Sequence, residues 1–290
     1  MSAPKVWPKP DLIIRASATV GEGPVWDPRT NRLCWVDITG GQLYEDDLVG
    51  GSQRVSETGT LLGAALPRAH QDGFAVAVRE GFGFWRDGAI SVVDAVHEGS
   101  DRRMNDAKCD SRGRLWAGSL SMSGALATGE LRRWTGGEPS AVVRSGFDLP
   151  NGIGWSPDDR EMYFVDSLAQ AILVAPFDAH DGEIGPFHEL ASVSGGLPDG
   201  LAVDLDGNIW VAIWGGSEVR SYSSHGELVG VVPMPVTQPS SCAFGPDGTL
   251  YVTSARANLE PSALAREPDA GSVFALTTSA AGVPTHSFEG

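Results

Sequence analysis

The chain has 290 residues, with 37 acidic against 21 basic side chains and a formal net charge of −16 at pH 7. That balance repels phosphate backbones and anionic bilayers, so no nucleic-acid or membrane partner is expected. Hydrophobic residues at 41%, together with 37 Gly and 19 Pro, exclude a disordered chain and suit a turn-rich all-β protein with a sizeable core.

In chain order, MSAPKVWPKPDLII holds no continuous apolar segment of signal-peptide length. No later run approaches the ~20 apolar residues of a membrane helix, and a cytoplasmic protein is expected. After a short apolar run at residues 12–16, GEGPVWDPRTNRLCWVDI begins at Gly21. Degenerate copies follow: LGAALPRAHQDGFAVAV from Leu62, NDAKCDSRGRLWAGSL from Asn105, PNGIGWSPDDREMYFVDS from Pro150, PDGLAVDLDGNIWVAIW from Pro198 and SSCAFGPDGTLYVTSA from Ser240. Aligned on the apolar residue after each turn, they place Leu33, Phe74, Leu115, Met162, Ile209 and Leu250 at separations of 41, 41, 47, 47 and 41 residues. A period of that size marks an array of supersecondary units.

Each copy runs from a short apolar stretch through a turn of Pro, Asp, Gly and Asn into an alternating run, which is a β-hairpin signal. Two further alternating runs fit between hairpins, for example 42–48 and 53–57, giving about four antiparallel strands per unit. The spacing therefore predicts an all-β fold, a six-bladed β-propeller with four-stranded antiparallel blades, and residues 1–290 as one domain. Within the 1–19 segment, residues 12–16 are the expected ring-closing strand, covering an otherwise open edge. Stretches 121–130 and 178–186, rich in Gly, Ser and Asp, are expected as surface loops, and 256–270 has room for one helical turn.

The first strand of each blade lines the central channel, so residues at its entrance converge. Counting back from the aligned residues gives Glu22, Gly63, Asn105, Asn151, Asp199 and Ser240. Glu22, Asn151 and Asp199 carry oxygens suited to a hard divalent cation, whereas zinc would more often recruit His or Cys. Taken singly, an Asp or Asn before a strand is ordinarily a turn residue bonding its own backbone; polar side chains at equivalent places in five of six units favour a site. Other apparent signals fail. The run from Asp204 to Asn208 imitates a calcium loop, but its twelfth position is Gly215 where Glu is required. Cys34, Cys109 and Cys242 lie in apolar strand runs and are expected as core thiols. Trp26, Trp35, Trp116, Trp155 and Trp210 occupy repeated hairpin positions, where packing between blades accounts for them. Trp214, before Gly215-Gly216, is the one expected to face a ligand.

The separated motifs GEGPVWD, RMNDAK, LPNGIGWSPD, PDGLAVD and YVTSAR resemble, in this order, the gluconolactonase and regucalcin (senescence marker protein) family, with a bacterial sugar-lactonase character. The resemblance implies a six-bladed propeller with one divalent metal at the channel mouth, calcium first, with magnesium, manganese, iron and zinc as the other choices. It implies Glu22, Asn151 and Asp199 as metal ligands and Arg103 and Asn105 as substrate contacts. It further implies hydrolysis of a sugar-acid lactone, such as glucono-, xylono- or arabinonolactone, with a small molecule as the partner and no protein partner evident. One departure stands out: animal members carry a Glu shortly after the counterpart of Leu115–Gly118, where this chain has Ser119-Leu120-Ser121-Met122-Ser123 and no acid before Glu130.

For such chemistry Asp199 is the candidate general base, a metal-bound hydroxide acting without a protein base being the alternative, with Arg103 and Asn105 orienting the lactone. Residues two apart in a strand share a face, which aims Arg103 and Asn105 together. The alternative for Arg103 is a surface pair with Asp101 or Asp106. Rival functions are an organophosphate or aryl-ester hydrolase on the same cation, and a non-catalytic calcium-binding regulator.

Overall fold

The computed structural model describes residues 3–290; Met1 and Ser2 lie outside the described residues. Six antiparallel sheets form a closed ring, each contacting the next and the last contacting the first. Their innermost strands are Gly21–Asp27, Leu62–Pro67, Arg102–Cys109, Pro150–Trp155, Leu197–Val203 and Pro239–Phe244, which gives the six-bladed propeller that the period predicts. We number the blades one to six in this order.

In blades three and five the hairpin between the first two strands is held by its turn carboxylate. In blade five Asp204 accepts from the backbone N–H of Asp206 and Asn208 and from Trp210 Nε1 at 2.9 Å. In blade three Asp110 holds Arg112, Arg114 and Trp116 Nε1 in the same manner. The second strands are buried on both faces, because each lies between neighbouring blades: Leu33, Cys34, Trp35 and Val36 are all buried. Aromatic rings fill the seams. Trp26 of blade one stacks on Tyr251 of blade six at 5.9 Å, and Trp116 of blade three meets Trp155 of blade four edge-on at 6.3 Å. The three thiols are free and buried, as expected of core residues.

Every inner strand shifts register against its neighbour at one level, between Glu22 and Val25, Leu62 and Ala64, Met104 and Ala107, Pro150 and Ile153, Pro198 and Leu201, and Pro239 and Ser241. A bulge re-aims side chains locally, so the six bulges set what faces the channel entrance. Gly23 sits in one of them at φ +53, a left-handed conformation that favours glycine. Gly152 serves close approach, since a Cβ there would come within 2.7 Å of the Asp199 carbonyl oxygen in the next blade.

Asp11–Ile14 forms the outer strand of blade six, pairing with Val273–Thr277. Lys5–Val6 adds a short parallel fifth strand to blade five on Leu228–Pro233. The helical turn is Pro261–Arg266, with proline in its first turn. The C-terminal segment crosses the face opposite the channel entrance. It leaves blade five, where Val283 N–H donates to Val203 O, reaches blade two, where Phe288 N–H donates to Pro67 O, and ends on blade three, where Glu289 N–H donates to Gly113 O. Blades five and two stand opposite each other, so this strap spans the far mouth; Val283, Pro284, Thr285 and His286 line the channel cavity there together with Asp106, Lys108 and Cys242.

Candidate active site

A cavity of about 340 Å³ opens at the entrance of the channel. All six residues singled out in the sequence line it: Glu22, Arg103, Asn105, Asn151, Asp199 and Trp214. Glu22, Asn105, Asn151 and Asp199 form its buried floor, each from the start of a different blade's inner strand. Gly63 of blade two and Ser240 of blade six, at the equivalent positions, do not line it. Ser240 instead donates to the Gly21 carbonyl oxygen and ties blade six to blade one.

A directed chain of hydrogen bonds fixes the floor. Arg103 donates to Asn105 Oδ1 at 2.7 Å and to the Met104 carbonyl at 2.9 Å. Asn105 Nδ2 donates to Asn151 Oδ1 at 2.9 Å and to the Pro150 carbonyl at 2.8 Å. Asn151 Nδ2 donates to Ser167 Oγ at 2.9 Å. This orients the Asn151 amide and leaves its Oδ1 one free lone pair. Both Asn105 hydrogens are engaged with protein, and its Oδ1, which accepts from Arg103, keeps one free lone pair as that of Asn151 does. Arg103 makes no ion pair with Asp101 or Asp106; Asp101 accepts from Ser121 and Ser123 instead.

The carboxylates of the floor are poorly served. Glu22 accepts one hydrogen bond, from Gly23 N–H at 2.8 Å, and Asp199 accepts none among the described residues. Burial, then the nearby charges of Asp199 and Asp106, push the Glu22 carboxyl well above its ordinary range. Burial and then Asp106 do the same to Asp199, against the attraction of Arg103. Burial lowers the Arg103 guanidinium to about 10, while Glu22 and Asp199 pull it back up.

Asp106 and Lys108 are channel-wall residues that the strand pattern concealed. Strict alternation turns Asp106 away from the face of Asn105, but the bulge between Met104 and Ala107 brings it into the channel wall. It is buried there, and burial raises its carboxyl despite Lys108. Lys108 is half-buried, donates to the Leu201 carbonyl at 2.6 Å, and has its ammonium pushed below the ordinary lysine value by desolvation. Asn258, at φ +58 in the loop after the last inner hairpin, is a further cavity residue without a signal in the repeat.

The donor chemistry fits a hard divalent cation. Two buried carboxylates face one cavity with almost no N–H donors and are joined by an amide oxygen with a free lone pair, an all-oxygen set suited to calcium, magnesium or manganese. No group of three or more His, Cys, Asp or Glu side chains placed to hold a metal occurs among the described residues, so the set depends on Asn151. No histidine lines the cavity.

Residues 20–256 match the family model described as SMP-30/Gluconolactonase/LRE-like region. Among curated proteins the chain is 35% identical to L-arabinolactonase of Azospirillum brasilense, over 96% of this chain and 95% of that protein. It is 32% identical to regucalcin of Danio rerio, over 97% and 99% respectively. Among solved structures, the calcium-binding protein regucalcin from Agrobacterium tumefaciens superposes with a TM-score of 0.91 at 26% identity, covering 98% of both chains.

Proposed function

This chain belongs to the SMP-30/gluconolactonase/LRE-like family, and we propose that it is a divalent-metal-dependent hydrolase that opens the ester of a sugar-acid lactone to the free acid. The observation that supports this most is the convergence of Glu22, Asn151, Asp199 and Arg103 from four blades on one cavity, with two buried carboxylates that the protein itself does not satisfy. The L-arabinolactonase relative supports the lactone class. A cytoplasmic location belongs to the same proposal; the structural fact beside it is that no helix among the described residues is long and apolar enough to cross a membrane.

Opening a lactone requires a polarised carbonyl, a placed water and a partner for the oxyanion. Held by Glu22, Asn151 and Asp199, a divalent cation supplies Lewis acidity at the carbonyl oxygen. Asp199, free of protein hydrogen bonds, accepts a proton from the attacking water as its oxygen bonds to the carbonyl carbon. The ring C–O bond then breaks, and the proton passes from Asp199 to the departing alkoxide, leaving the hydroxy acid. Arg103, anchored by Asn105 and Met104, presents its remaining N–H groups to the oxygens of the ring. Asn105 positions Arg103 and the Asn151 amide.

Acid release from glucono-, xylono- and arabinonolactone, followed by pH-stat with and without chelator, tests the proposal. The expected result is turnover that chelation abolishes and added calcium, magnesium or manganese restores. Calcium binding without turnover would favour a regulatory protein. Turnover of aryl esters or organophosphates with none of lactones would favour the other hydrolase class, against which the absence of histidine among the cavity residues already counts.

A further inference from the structure

The cavity has two tiers that follow from one register. Two residues before each floor residue, toward the mouth, stand Val20 before Glu22, Arg103 before Asn105, Leu149 before Asn151 and Leu197 before Asp199. All four line the cavity, and Leu120 and Trp214 from the second strands and Ile38 just after one join them. The floor is therefore polar in every contributing blade, whereas the collar above it is apolar except at Arg103 and at the loop residue Asn258. Of the polar floor groups, Asn105 has both amide hydrogens engaged and accepts from Arg103, and the Ser167 oxygen accepts from Asn151.

A fully hydroxylated lactone seated with its ester on the floor would press at least one outer hydroxyl against Val20, Leu149, Leu197 or Leu120, where no partner replaces its water. An apolar end in the same place gains burial instead. The cavity volume sets the length of that end. At about 340 Å³ it lies at the bottom of the roughly 300–1,000 Å³ span of small-molecule pockets, room for a six-carbon lactone and not for a long acyl chain.

We propose that the substrate is a lactone ending in a methyl group where common aldonolactones end in hydroxymethyl, that is, a 6-deoxyaldonolactone, with Arg103 reading the hydroxylated edge of the ring and the collar reading the methyl. This rests on the lactonase reading above. Matched pairs isolate the one atom concerned: L-rhamnono-1,4-lactone against L-mannono-1,4-lactone, and L-fucono-1,4-lactone against L-galactono-1,4-lactone, each with the metal-loaded full chain. In each pair kcat/KM for the deoxy member is expected to be higher by about 10- to 100-fold, the discrimination an apolar pocket exerts against an added hydroxyl. Leu149→Asn and Leu197→Asn, checked for folding by circular dichroism, are expected to shrink or invert that ratio. Equal or higher kcat/KM for the hydroxymethyl members in the unmodified protein overturns the proposal, whatever the variants do. So does turnover of other lactones with none of the two deoxy compounds. No turnover of any lactone overturns the lactonase reading and this proposal together.

Discussion

The two ends of the inner strands treat buried carboxylates in opposite ways. At the hairpin end, Asp110, 0% exposed, accepts from two backbone N–H groups, Arg114 Nε at 2.6 Å and Trp116 Nε1 at 2.8 Å. Asp204, 1% exposed, is equally saturated by Asp206, Asn208 and Trp210. At the channel entrance Glu22, 4% exposed, has one donor, and Asp199, 7% exposed, has none among the described residues. Residue type and burial are shared, so neither distinguishes the turn carboxylates from the pair proposed to hold a metal. The number of donors does, because an unserved buried charge is costly to keep and here it is kept at a cavity.

The comparison breaks most visibly in activity. Glu22→Gln or Asp199→Asn is expected to lower kcat by about 100- to 1,000-fold, the loss seen when a preorganised electrostatic group is removed. The melting temperature of the metal-free protein should hold or rise, because a neutral amide replaces an unserved charge; a large drop would put these residues with the structural acids. Asp204→Ala should do the reverse, costing about 3 kcal/mol of stability through the loss of charge-assisted bonds while the folded fraction keeps its turnover, as read by urea titration beside an activity assay.

The pH response sharpens the contrast. Because the fold raises the affinity of Glu22 and Asp199 for protons, the folded state binds more protons than the unfolded one above the ordinary carboxylate range. Stability of the metal-free protein is therefore fully present at acid pH and falls as pH climbs through the raised values. Urea midpoints measured in chelator should show that slope, and saturating calcium or the Glu22→Gln, Asp199→Asn double variant should flatten it. The smallest expected effect is Arg103→Ala, about 10-fold in kcat/KM on sugar lactones and less on γ-butyrolactone, which lacks the hydroxyls that Arg103 would read.

What the sequence disclosed tracks what repetition exposes. The turn-and-strand period put the six inner strands in place, and an offset of ten or eleven positions from Leu33 and its counterparts reached Glu22, Asn151 and Asp199. Asp106 escaped because a bulge cancels the alternation that orients Asn105; the same irregularity recurs in all six blades, yet nothing in residue type announces it. Lys5–Val6 is two exposed residues paired through backbone alone, too short for any periodicity. The apolar collar was present in the text as Val20, Leu149 and Leu197, but as single residues they read as ordinary strand starts until the floor beneath them was located.

The strap from Val283 to Glu289 has a kinetic consequence. With Glu22, Asn105, Asn151 and Asp199 flooring the site and Val283–His286 lining the far part of the channel, reactant and product are expected to share one doorway. The acid formed on the floor must back out past the collar by which the next lactone enters, and its new carboxylate leaves from beside Arg103. Turnover in a closed vessel should therefore slow as acid accumulates, in the pattern of competitive product inhibition, and a cell would draw full flux from this protein only where a following reaction keeps the acid scarce.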